Sequence, residues 1–171
     1  MPYHPRRPET IWFPALRASL TAIVWAMTGE YAFHPSAAEL LRGDAVSVCM
    51  AALDVLRGEI DVAYVDAYSD YRDRLPGPVE QAQAALRALG AKRRRRDPGM
   101  GIKVRADDVE QWTLFREYAA WSIHVELWSH SGRHLGTLHD CAHSIVLRLT
   151  TEQRTSLDAA LAGIGEFALL T

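Results

Sequence analysis

The sequence predicts an α+β fold: an N-terminal helical lobe packed with a small antiparallel β-meander that is flanked by helices. Three observations point there. Residues 122–149 alternate apolar and polar side chains with period two, which is the mark of half-buried strands. Before them, most of 10–90 keeps apolar residues at helical spacing. Between the two lies GAKRRRRDPGMG (90–101), a run of glycine, proline and five consecutive cations that reads as a loop. The expected division is therefore a helical lobe over 1–90, a basic Gly/Pro loop over 91–101 and a β-α-β-β-β-α lobe over 102–171, sharing one compact domain.

Taken in order, residues 1–10 hold three prolines and read as an extended arm. A helix is expected over about 14–28, with Leu16, Leu20, Ile23, Val24 and Met27 on one side and Gly29 as its stop. Pro14 and Arg17 interrupt the apolar run Ile11–Phe33, so it predicts neither a membrane span nor a signal segment. Ser36 and Glu39 have capping-box spacing and predict a short helix ending near Gly43. Asp44 then stands where it can cap a longer one. Leu53, Leu56, Ile60, Ala63 or Tyr64, Ala67 and Tyr71 keep helical spacing through Gly58, predicting one helix over 45–74 or two meeting at that glycine. Pro76-Gly77-Pro78 makes a turn, and Val79, Ala82, Leu86 and Leu89 mark a helix over 78–89, antiparallel to its predecessor.

Beyond the basic loop, Ile102–Arg105 reads as a short strand. Asp107 and Glu110 again have capping-box spacing, predicting a helix over 108–119 with Val109, Trp112, Phe115 and Ala119 inward. The meander follows. A two-residue loop at Ser131-Gly132 sets Leu127 opposite Gly136, Val125 opposite Leu138 and His124 opposite His139. A second loop at Cys141-Ala142 sets Leu138 opposite Ile145, Gly136 opposite Leu147 and Leu135 opposite Arg148. One face then collects Ile123, Val125, Leu127, Leu138, Ile145, Leu147 and Leu149. The other collects His124, Glu126, Trp128, Leu135, Thr137, His139, Ser144, Val146 and Arg148. Two independent turns agree on one apolar face, which a one-residue slip would scatter. Thr150 and Gln153 form a capping box for a last helix whose apolar side is Leu157, Ala160, Leu161 and Ile164.

A net charge of -2 argues against a wholly basic nucleic-acid binder. Two cysteines, Cys49 and Cys141, give no disulfide framework, and a reducing cytoplasm is the expected location. The 17 arginines against two lysines match a GC-rich, bacterial-type coding background and carry no functional message.

No complete catalytic set is present, and the leading expectation is a non-enzymatic protein-binding module, a small regulator, inhibitor or adaptor. Its binding surface is the mixed outer face of the meander: His124, Glu126, Trp128, Leu135, His139, Val146 and Arg148. The expected partner is another protein or a second copy of the chain. A second reading is nucleic-acid or acidic-partner binding through Lys92, Arg93, Arg94, Arg95 and Arg96, although no aromatic residue interleaves them to stack bases. A third is a metal- or cysteine-dependent enzyme around His124, His139 and Cys141. A structural zinc site wants four ligands where at most three can be placed, so no metal or other cofactor is called for. Asp66, Asp70 and Asp73 beside Tyr64, Tyr68 and Tyr71 read as the solvated side of a helix with a tyrosine border.

Overall fold

The meander is the middle of a larger sheet. The computed structural model describes residues 28–71, 74–92 and 97–171, and the helix expected over about 14–28 lies outside them except for Thr28. In chain order the elements are β1 (Gly29–Pro35), α1 (Arg42–Leu56), β2 (Ile60–Val65), α2 (Gly77–Ala91), β3 (Ile102–Arg105) and α3 (Val109–Ala119). Then come β4 (His124–Ser129), β5 (His134–His139), β6 (Ser144–Leu149), α4 (Thr151–Ala160) and β7 (Gly165–Leu169). All seven described strands join one antiparallel sheet of order β3-β2-β4-β5-β6-β1-β7.

The expected meander register holds. His124 faces His139, Val125 faces Leu138 and Leu127 faces Gly136, while Leu138 faces Ile145 and Gly136 faces Leu147. Val125, Leu127, Leu138, Ile145 and Leu147 all lie on the buried side. Leu135 departs from expectation. The first loop is one residue longer than two, since Ser129 N donates to Arg133 O around His130-Ser131-Gly132, with Gly132 at φ +74°. A bulge between Leu127 and Trp128 takes up the extra residue, so Trp128 faces His134 and Leu135 turns into the core.

The helical lobe expected over 1–90 is corrected within the described residues, because two of its segments are strands. Ile60–Val65 pairs on both sides, with β3 and with β4. Its helical spacing relative to Leu53 and Leu56 is coincidental. Helix α1 stops at Leu56, a turn carries Gly58, and the β-branched and aromatic run Ile60, Val62, Tyr64, Val65 suits a pleated surface better. Among the described residues, α2 therefore has no helical predecessor after Gly58 to lie against and packs on α3 instead. Gly29 begins a strand, and 165–169 supplies the other partner of that strand.

Ser36–Glu39 forms bends and no helix, with Ser36 N donating to Ile164 O. Leu41, not Asp44, occupies the cap position of α1, and Asp44 sits in its first turn. The cap of α3 is Asp108, whose carboxylate accepts from Gln111 N at 3.0 Å, one residue later than expected. Val109, expected inward, is 77% exposed in the first turn, while Trp112, Phe115, Tyr118 and Ala119 are buried. The Thr150–Gln153 capping box is present, but α4 ends at Ala160, which is exposed, so Leu157 alone is its buried residue.

The four described helices contact one another in the sequence α2–α3–α1–α4, and their main strand contacts are to β3, β6 and β7. They cover the face bearing Ala63, Val65, Val104, Val125, Leu127, Leu138, Leu147 and Phe167. Among the described residues nothing covers the opposite face, whose side chains are mostly half-buried or exposed.

Candidate functional site: the open face of the sheet

Strand register alone places a lateral row across the open face: Lys103, Tyr64, Glu126, Thr137, Val146, Ala32 and Ala168, one from each strand. Flanking it are Arg105, Val62, Trp128 and His134 on one side, and His124, His139 and Ser144 on the other. Arg148 stands opposite Glu30 beyond them. Small side chains (Thr137, Val146, Ala32, Ala168) floor the β5–β7 half, and the aromatic and titratable ones gather over β2, β4 and β5.

Those larger side chains are tied together. His124 Nδ1 lies 3.1 Å from His139 Nδ1, and the ring centroids are 4.6 Å apart. His124 Nε2 meets Glu126 Oε1 at 3.3 Å, and Glu126 Oε2 accepts from Trp128 Nε1 at 3.1 Å. The Trp128 indole in turn meets the His134 ring edge to face at 5.1 Å. Positions i and i+2 of one strand share a face, which is why His124, Glu126 and Trp128 can form this ladder. Beside Trp128, a cleft of about 350 Å³ is lined by Tyr64, Lys103, Ser129 and the pair His130–Asp61, whose Nδ1 and Oδ1 are 3.3 Å apart.

Of the residues expected on this surface, His124, Glu126, Trp128, His139, Val146 and Arg148 lie on it, and Leu135 does not. Tyr64 and Val62 were missed because their strand carried a helical pattern, and Lys103 because its expected strand reaches the meander only through β2. The signal for a strand there is the β-branched and aromatic content of Ile60–Val65, although a bulge between Ile60 and Val62 puts Ile60 in the core with Ala63 and Val65.

Cys141 belongs to a different corner. Asp140, Cys141 and Ala142 all have positive φ (51°, 56°, 64°), and His143 N donates to Asp140 O across the expected Cys141-Ala142 loop. The turn is pinned by the residues leading into β4, with Asp140 N donating to Ile123 O and Cys141 N to Ser122 O. Arg42 holds it from α1: its guanidinium stacks 4.4 Å over the Trp121 ring and donates to Ala120 O and Cys141 O. The Cys141 thiol, 1% exposed, points inward, to Trp121 O and to Ser69 Oγ. It therefore does not join His124 and His139, whose rings meet on the open face.

The tyrosine–aspartate border has no helix to sit on. Asp66 is 5% exposed and accepts from Gly101 N at 2.6 Å, while Tyr68 donates to Asp97 at 2.9 Å, so both fasten the 97–101 loop. Asp73 and Arg93–Arg96 lie outside the described residues, and Lys92 is exposed at the end of α2. Among the described residues, no three His, Cys, Asp or Glu side chains are grouped to hold a metal, and no helix is long and apolar enough to cross a membrane. The chain matches no protein-family model, no curated protein and no solved structure.

Proposed function

We propose that the protein is a non-enzymatic binding module, a regulator, inhibitor or adaptor, that docks a folded protein partner on the open face of its sheet. The observation that carries this reading is the one-sided covering: the described helices bury one face, and the other presents Trp128, Tyr64 and Val146 among charged and imidazole groups. An antiparallel sheet with one solvated face ordinarily turns polar residues outward. Here the exposed side mixes large aromatic contact area with hydrogen-bonding groups, which is the composition of a protein interface core and rim.

Size supports the same reading. Seven strands at about 4.8 Å spacing and about 20 Å length give a platform on the order of 600 Å², comparable with the roughly 800 Å² that each partner contributes to a standard interface. The charges on it are of both signs (Lys103, Arg105 and Arg148 against Glu126 and Glu30), which suits a protein surface better than an anionic membrane.

Affinity capture with the full chain tests this, comparing wild type with Trp128→Ala/Val146→Glu. The reading expects a stoichiometric partner, identified by native mass spectrometry, that the double variant loses while keeping its circular dichroism spectrum. Equal capture by both proteins, or no partner for either, overturns it.

A further inference from the structure

The His124–His139 pair has a geometry that a solvated face does not require. Glu126 Oε1 sits at His124 Nε2, and the carboxylate is held from its other oxygen by Trp128. A carboxylate can only accept, so this contact places the proton of neutral His124 on Nε2 and leaves the Nδ1 lone pair free. That lone pair faces His139 Nδ1 across 3.1 Å. The ring is only about a third exposed, at 32%, yet open to solvent on the uncovered side of the sheet.

Two nitrogens bound to one cation at 2.0–2.1 Å stand about 3.3 Å apart at a tetrahedral angle and about 2.9 Å apart at a right angle. The observed separation falls between these values. A ligating histidine also characteristically donates its second ring N–H to a carboxylate, which fixes its orientation and raises its basicity. Glu126 stands in that position, and Trp128 anchors it.

We propose that His124 and His139 form a two-histidine site for a borderline divalent d-block cation such as Zn²⁺ or Cu²⁺, with Glu126 as the outer-shell acceptor. Both histidines bind through Nδ1, and water completes the coordination. Two protein ligands make an exchangeable site, in contrast to the closed four-ligand sites that hold structural zinc. Imidazole ligands favour Cu²⁺ over Zn²⁺ in affinity order. The inference does not require that a protein partner occupies the face, and either can fail without the other.

The test is titration of the metal-free full chain with Zn²⁺ alone, read by long-range ¹H–¹⁵N spectra of the imidazoles and by calorimetry. One equivalent should shift Nδ1 of His124 and His139 and leave His130, His134 and His143 in place. His139→Ala should abolish saturable binding. Glu126→Gln should weaken it ten- to a hundredfold while the buried Trp112 indole N–H and the melting temperature confirm a folded protein. No saturable binding, binding that shifts only the other histidines, or binding untouched by both substitutions overturns the proposal. In each case the 3.1 Å contact is a direct hydrogen bond between the two rings.

Discussion

Leu138 stands directly opposite Ile145 across β5 and β6, both buried, and the next pair along, Thr137 and Val146, points to the open face. This alternation separates stability from recognition within one strand pair. Leu138→Ala should cost about 2–5 kcal/mol, because it leaves a cavity among fully buried neighbours. Val146→Ala, on the uncovered face, should cost less than about 1 kcal/mol. Urea unfolding of the two variants checks this, and similar losses would mean that the outer face is buried too.

Gly90, near the end of α2, reverses the usual rule for helical glycines. Exchange to alanine normally stabilises a helix by up to about 1 kcal/mol. Here a Cβ would meet Pro98 O at 2.0 Å, in the loop whose Gly99 O also accepts from Ala67 N. Gly90→Ala should therefore destabilise the protein, by about 1–3 kcal/mol, and thermal melting reads the sign.

The turn at Asp140–Ala142 holds three non-glycine residues in the left-handed region. Each costs on the order of 1 kcal/mol, somewhat less for aspartate. Asp140 is exposed, so its replacement alters conformation more than packing. Asp140→Gly should hold or raise the melting temperature, whereas Asp140→Val should lower it. The reverse order would contradict the positive φ at this position.

The two thiols should be silent in the native protein. Burial pushes Cys49 up to about 12, against the lowering influence of Arg42 and Arg116, so almost none of it is thiolate at pH 8. Cys141 is blocked by burial. A disulfide-exchange reagent at pH 8 should find no reactive thiol until denaturant is added, and then two. Because the Cys49 thiol is held neutral, raising the pH to 10 should not expose it. Rapid native reaction of Cys141 would return it to consideration as a nucleophile.

What could be read from the sequence divides along a physical line. The meander was legible because His124–Trp128 and Ser144–Leu149 alternate cleanly and the first connecting turn carries Gly132, which suits positive φ. The bulge that buries Leu135 was not, since a loop longer by one residue and a compensating bulge leave the rest of the pattern unchanged. Strand β2 was hidden by Leu53, Leu56 and Ile60, whose spacing continues a helix on paper although the chain turns at Arg57–Glu59. Strands β1 and β7 make most of their partnership with each other and with β6, a long-range choice that no local pattern encodes. The site followed the same line. His124, Glu126, Trp128 and His139 came from the legible strands, whereas Tyr64 and Lys103 join them only through β2.

The indole N–H spectrum of the full chain, free and bound to its captured partner, tests the open face most directly. Trp128 should shift or broaden on binding, because its Nε1–H lies on that face bonded to Glu126. Trp112, buried on α3, should stay in place. A bound spectrum in which Trp128 is unmoved while Trp112 or Trp121 shifts would place the partner elsewhere and contradict the proposed function.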